Sequence, residues 1–355
     1  MKFSYAVVAL GALSSVWALP TTYSEDDSCD ATPECPAVSG DILINQYQLY
    51  PENLFYDTSN CKLLLGALFN ASVYVYDVAT STAESFTFEN ITLDPLLHIS
   101  GVRKNPVSGL YSVIIDAGAA FDTQGADISG DNFLIQYDLD AKTEVSRLNL
   151  TETTQGIYGG YQDVEFDSAG NIYVVGTYPT SILKVDPSGL NVEVWYLPEP
   201  IDHTVKGLGG LAVVGDTLLA NDNVSGNVVR FDLTASTGTP STVPHSPAGV
   251  INNQGDGIAL PAKYDGTVLL IAQNTLGISV LRSKDLWQTA DFLGVIPMPA
   301  SVGNGVVTAS VQIGETIYAN IEYFSDTPVA PPNNAGNRTE FPLIDITAAL
   351  DALLV

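Results

Sequence analysis

Six short turn signals recur along the chain: Asp57-Thr58-Ser59-Asn60, Asn105-Pro106-Val107-Ser108-Gly109, Asp167-Ser168-Ala169-Gly170, Gly215-Asp216, Asp265-Gly266 and Gly314-Glu315. Each lies between two β-rich apolar runs, as the turn of a tight hairpin does. Their first residues fall at 57, 105, 167, 215, 265 and 314, so the intervals are 48, 62, 48, 50 and 49. A period in that range, with about four short strands per unit, predicts an all-β fold: a single six-bladed β-propeller with about four antiparallel strands per blade. A large sandwich would not explain so regular a repeat.

The other strands keep step with the turns. After each turn comes an apolar strand: Cys61–Leu68, Leu110–Ile115, Asn171–Val175, Thr217–Ala220, Thr267–Ala272 and Thr316–Asn320. A third strand then tends to close on a hydrophobic-Asp pair, as in Tyr76-Asp77, Tyr137-Asp138, Val185-Asp186, Phe231-Asp232 and Ile344-Asp345. Unit five departs with Leu281-Arg282.

Met1-Lys2 followed by an apolar stretch to Trp17-Ala18 reads as a secretory signal peptide, residues 1–18, cut after Ala18. Residues 19–40 form an N-terminal leader and 41–355 the propeller. No second apolar run approaches spanning length, and the tail Ala348–Val355 is short and carries Asp351, so no membrane anchor is expected. The mature protein is therefore expected to be secreted or to sit in the lumen of the secretory pathway. Five Asn-X-Ser/Thr sequons, at Asn70, Asn90, Asn149, Asn223 and Asn337, suit that address and predict glycosylation at some of them. All three cysteines, Cys29, Cys35 and Cys61, lie near the N-terminus. One disulfide should tie the leader to blade one, with Cys35–Cys61 favoured, leaving one thiol over.

The formal charge is −27, and removing Lys2 with the signal takes the mature chain to −28. Such a field makes nucleic acid and anionic membrane surfaces poor partners. Charged residues are nevertheless only 15% of the chain against 46% hydrophobic, so the acid decorates a packed globule and favours solubility.

In a propeller the start of each innermost strand and the turn after each second strand share one face around the central channel. Aligning the units on their turns sets Glu52, Ser100, Asp163, Gly209, Asp256 and Asn304 at equivalent strand tops. His98, Tyr161, Gln162, Lys206 and Gln254 lie just upstream or alongside. The opposite loops of that face add Phe69, Asp116, Tyr178, Asn221, Asp222, Gln273, Asn274, Glu322 and Tyr323. Polar groups converging on a channel mouth among aromatic rings describe a small-molecule site; singly, each equally suits a strand-end hydrogen bond.

Unit two owes its extra length to an insertion, Asp116–Asn132, with three glycines and Phe121, which reads as a lid over the channel. Its Asp122, Asp127 and Asp131 lack the calcium spacing of a helix-loop-helix site, which favours a polar loop without metal. There is no Gly-X-Ser-X-Gly elbow, and His98, His203 and His245 are too scattered for zinc. Gly207-Leu208-Gly209-Gly210 has neither helix nor acid to make it a dinucleotide loop.

With Tyr50-Pro51-Glu52-Asn53 opening blade one and Gln254-Gly255-Asp256-Gly257-Ile258 opening blade five, the chain resembles the gluconolactonase-like six-bladed propellers. That likeness implies a divalent metal, often calcium, held by a Glu and an Asp at these two places and by Asn residues of blades three and four. Glu52 and Asp256 match; Gln162-Asp163 and Gly209-Gly210 stand where the asparagines belong, so a ligand is missing. A second likeness rests on Ile99-Ser100-Gly101-Val102, Asp116-Ala117-Gly118-Ala119-Ala120-Phe121-Asp122, residues 127–138 and Gly159-Gly160-Tyr161-Gln162-Asp163-Val164. Through these the chain is similar to a fungal secretory-pathway branch that includes trichothecene-cluster core proteins and the hetero-Diels–Alderases of tropolone–sesquiterpene pathways.

The branch likeness implies a cofactor-independent cyclase that joins a tropolone o-quinone methide to a sesquiterpene alkene. On that reading His98 and Lys206 donate to the developing negative oxygen, Tyr161 and Gln162 orient the ring, and Asp163 or Glu52 handles the proton lost in dehydration. Ser100, Phe121, Tyr178, Asn221, Gln254, Asp256, Gln273, Asn274, Asn304, Glu322 and Tyr323 would line the substrate site. No metal or other cofactor is expected, with calcium the alternative. The rival readings are a calcium-dependent lactonase and a non-catalytic secreted ligand-binding propeller.

Overall fold

The protein is described by a computed structural model over residues 35–251 and 254–355. The signal peptide, most of the leader and Cys29 lie outside the described residues. Residues 35–355 pack as one unit of six sheets. The inner strands are Pro51–Asp57, Leu97–Lys104, Gly159–Phe166, Leu208–Val214, Gly255–Ala259 and Val306–Ile313. Each contacts the next, and the sixth meets the first, so the sheets close into a six-bladed propeller.

All six turn signals join an inner strand to the second strand of its blade. The second strands are Lys62–Ala67, Tyr111–Ala117, Ile172–Tyr178, Thr217–Asp222, Val268–Gln273 and Thr316–Glu322. The hydrophobic-Asp pairs end the third strands for a local reason. Asp77 accepts from the Ala79 and Thr80 N–H groups, Asp138 from Ala141 and Asp232 from Thr234, each carboxylate thereby starting the turn to the outer strand.

Ring closure uses a strand from the other end of the chain. Ile42–Asn45 pairs antiparallel with Glu340–Asp345, Ile42 opposite Leu343, and so becomes the outermost strand of blade six. The Cys35–Cys61 disulfide forms and ties the segment before that strand to the blade-one hairpin. Blade five gains an unforeseen fifth strand, His245–Ser246, parallel to Ala290–Ile296.

The core lies between neighbouring blades. Tyr173, Val175, Ile182 and Trp195 of blade three, for example, pack on Leu211, Leu218, Ala220 and Phe231 of blade four. Each apolar side chain buried this way contributes roughly 1.5–3 kcal/mol, and the resulting rigid ring holds the loops of one face around the channel.

Candidate functional site

A β-bulge interrupts every inner strand near the same end. It falls between Pro51 and Leu54, Ile99 and Val102, Tyr161 and Asp163, Leu208 and Leu211, Gly255 and Ile258, and Val307 and Ala309. A bulge sets two residues against one and re-aims side chains. Here it divides the channel: Glu52, Gln162 and Asp256 line a wide cavity, and their successors Asn53, Asp163 and Gly257 line a narrow one. Glycine is needed in these pairs because the inner strands converge. A Cβ on Gly210 would stand 2.5 Å from the Ile258 nitrogen.

The bulge corrects the turn-based alignment. The equivalent of Glu52, Ser100 and Asp256 in blade three is Gln162, not Asp163, and in blade six it is Thr308, not Asn304. The stretch between bulge and turn differs in length from blade to blade, so the turn is the poorer ruler. Asn304 precedes its strand and donates to Ser325 Oγ at 2.6 Å.

The wide cavity holds about 840 Å³. Ten of the expected site residues line it: Glu52, His98, Ser100, Phe121, Gln162, Tyr178, Lys206, Gln254, Asp256 and Asn274. Seven do not. Tyr161 is fully buried among Ile114, Val164 and Val174 between blades two and three. Asp163 sits in the narrow cavity, where it accepts from Asn53 Nδ2 at 3.3 Å and from the Leu211 N–H at 2.9 Å. Asn221 is fully buried, its amide filling the room that Gly209 leaves. Gln273 donates to the Ile251 carbonyl at 2.6 Å, Glu322 is fully buried, and Tyr323 packs under the Arg338 guanidinium at 3.4 Å. With Asn304, these residues serve the frame. The orienting role of Tyr161 and the proton role of Asp163 are therefore not available at the cavity wall.

Two long loops complete the wall. The blade-two insertion forms a short helix, Ala119–Asp122, whose Phe121 packs edge-on against Tyr178 with centroids 5.5 Å apart. The second loop, between the second and third strands of blade six, brings Phe324, Asp326, Pro328 and Asn334 and was not foreseen. The signal was its length, from Tyr323 to Thr339 between two strands. Asn334 Nδ2 donates to Asp122 Oδ2 at 3.0 Å, so the two loops meet over the cavity.

Electrostatics of the cavity are dominated by acid. Glu52, Asp116, Asp122, Asp256 and Asp326 face it, against Lys206 and His98. Burial raises Glu52 well above the usual carboxylate range, and Asp256, Asp163 and Asp116 add to the rise. Burial also raises Asp256, opposed by Lys206 and by a 2.9 Å bond from Asn274 Nδ2. Such a wall favours neutral or cationic ligands over anions.

The donor set does not fit the calcium that the gluconolactonase likeness implies. Gly209 offers no side-chain ligand, Asn221 is buried beside it and does not line the cavity, and the Lys206 ammonium already faces Asp256. Among the described residues no group of three or more His, Cys, Asp or Glu side chains converges as a metal cage.

No family model matches the chain. The major Malassezia sympodialis allergen Mala s 1 has the same fold at a TM-score of 0.74 and 18% identity, covering 87% of this chain and 96% of that one. A gluconolactonase of Xanthomonas campestris superposes at a TM-score of 0.50 and 13% identity, over 85% and 89% of the two chains. These likenesses speak for the propeller alone. Sequence kinship is stronger: the chain is 35% identical over 340 residues to trichothecene biosynthesis protein 14 of Trichoderma arundinaceum, spanning 90% of this chain and 92% of the relative. It is 30% identical over 366 residues to core trichothecene cluster protein 14 of Fusarium sporotrichioides, spanning 98% and 94%. At those identities over almost its whole length, the chain belongs to the trichothecene cluster protein 14 family of fungal secondary metabolism.

Proposed function

We propose that the chain acts, in the secretory lumen or outside the cell, on small natural-product intermediates as a cofactor-independent cyclase of hetero-Diels–Alder type. It would join a tropolone o-quinone methide to a sesquiterpene alkene. The observation that carries this reading is the wide cavity: a polar floor, aromatic walls at Phe69, Phe121, Tyr178 and Phe324, and two loops that meet above it. Kinship with trichothecene biosynthesis proteins supports a terpenoid substrate.

The site suits the chemistry. A quinone methide and a hydrocarbon alkene are both neutral, so the acidic wall does not repel them. The tropolone oxygen that gains negative character would lie toward Lys206 and His98, the only cationic or cation-forming side chains among the residues lining the cavity. Holding both reactants in register supplies up to roughly 7–11 kcal/mol of the barrier in the best case, and the apolar walls fix the face of approach. Covering loops keep water from quenching the quinone methide.

The test incubates purified protein with a hydroxymethyl tropolone and a humulene-type alkene and follows adducts by chiral chromatography and mass spectrometry. The expected result is an accelerated, stereochemically single cycloadduct that survives excess chelator and is lost in His98→Ala and Lys206→Ala. A racemic product at the uncatalysed rate would remove the cyclase reading. Because Glu52 and Asp256 both face the cavity, calcium-dependent lactone hydrolysis is the second reading. It predicts activity on lactones that chelator abolishes, whereas saturable binding with no turnover of any substrate marks a ligand-binding propeller.

A further inference from the structure

We infer that Asp116, presented by Ser100 and His98, is the proton-transfer group of the wide cavity. The inference rests on the cyclase reading for its substrate; with Asp163 off the cavity wall, it sets the proton on Asp116 in place of Glu52, which burial and neighbouring acids hold well above the usual carboxylate range. Asp116 lies on the second strand of blade two, directly across from His98 on the inner strand. It is 1% exposed, yet its side chain lines the cavity. Ser100 Oγ donates to Oδ2 and fixes the carboxyl, while Oδ1 has no hydrogen-bond partner. A buried, unpaired carboxyl oxygen is costly unless something in the cavity pairs with it. The His98 ring is held in place edge-on to Phe69, with centroids 5.3 Å apart. Gly118 makes room for it, since a Cβ there would lie 2.4 Å from the imidazole.

Electrostatics support the role. Burial pushes the Asp116 carboxyl up to about 6, opposed by His98 and the Ser100 hydroxyl and helped by Asp122 of the insertion. Glu52 of blade one also senses its charge. The group can therefore change protonation near neutral pH, which neither an ordinary exposed aspartate nor a permanently neutral acid would do.

The step balances within the site. The Asp116 Oδ1 proton passes to the hydroxymethyl oxygen, the C–O bond breaks and water leaves. The ring hydroxyl proton then passes to the Asp116 carboxylate, leaving a neutral o-quinone methide and a restored acid. Asp163, sealed in the narrow cavity, is not needed.

The test uses Asp116→Asn and Ser100→Ala with two substrates, the hydroxymethyl tropolone and its acetate ester, whose leaving group needs no proton. Asp116→Asn should lower turnover of the alcohol by about 100-fold or more, in the range typical of general acids, and lower that of the ester far less, because the departing acetate needs no proton to leave and can itself take the ring hydroxyl proton. Ser100→Ala removes a bond that holds the carboxyl down, so its pH–rate limb should move to higher pH. Carbon-13 NMR of labelled aspartate should lose a carboxyl titrating near pH 6 in Asp116→Asn. Equal losses on alcohol and ester, an unmoved limb in Ser100→Ala, or an unchanged aspartate titration would each overturn the assignment. Should the wild type convert neither substrate, the cyclase reading falls, and the titration still decides whether Asp116 carries the proton.

Discussion

Glu322 closes the second strand of blade six with its side chain fully buried. Burial pushes its carboxyl up to about 8; Asp326 adds to the push, and the Tyr323 N–H and the Arg338 guanidinium pull against it. The sign follows directly. Below the ordinary value of 4.5 both folded and unfolded chains hold the proton and pH has no effect through this group. Above it the unfolded chain releases the proton while the folded chain keeps it, so folding weakens by about 1.4 kcal/mol per pH unit until the folded carboxyl ionises. From 4.5 to 7 that is about 3 kcal/mol at most. Glu322→Gln keeps the shape and cannot ionise. Its stability relative to wild type should therefore rise by up to about 3 kcal/mol between pH 4.5 and pH 7. Urea unfolding of both proteins at the two pH values measures this, and packing differences cancel because they are present at both. Other buried carboxylates, such as Asp116 and Glu165, are common to both proteins and cancel as well. An equal stability difference at the two pH values would refute the reasoning.

Two further outcomes are expected. Replacing residues 119–130 by a short turn spares the blade strands and Asp116, so the protein should fold. It should also divert product from cycloadduct to water adduct; Asn334→Ala, which removes only the 3.0 Å bridge to Asp122, should do so more weakly. Unchanged product ratios in both would reduce the insertion to a surface excursion. Mass spectrometry of protein from a fungal secretory host should find glycans at the exposed Asn90 and Asn337 and none at Asn223. The Asn223 side chain bonds the Gly207 and Gly255 carbonyls and the Gly255 N–H, joining blades four and five, and a glycan there would break that joint. Occupied Asn223 in folded protein would contradict this.

The blades were legible because their information is local. A hairpin turn such as Asp167-Ser168-Ala169-Gly170 states its role within four residues, and Asp167 accepting from the Ala169 and Asn171 N–H groups shows how. A third-strand Asp does the same for the next turn. Closure of the ring was not legible in this way. Ile42–Asn45 is a short run whose only partner, Glu340–Asp345, lies at the other end of the chain, and nothing in its own sequence names that partner.

The site was half legible for a related reason. Counting back from a turn locates a strand top to within a residue in five blades and misses it by four in blade six, and in a strand even one residue decides which way a side chain faces. At the bulge that one residue also decides which cavity it enters. Glu52 and Asn53 are neighbours in sequence and part company there, as do Gln162 and Asp163. The turn-based alignment therefore chose Asp163, a group that knits blades one, three and four together, over Gln162, which faces the ligand space. Charge alone could not correct the choice, since Asp163 and Asp116 are both buried acids. What separates them is bonding. Both Asp163 oxygens are occupied by Asn53, Val164 and Leu211, whereas Asp116 keeps one oxygen unpaired. In a ring of acidic side chains, a carboxyl already bonded on both oxygens holds the frame. A carboxyl left with a free oxygen at the cavity wall, as Asp116 and Glu52 both are, is free to meet the substrate, and Asp116 alone of the two has a hydroxyl, Ser100, fixing its other oxygen.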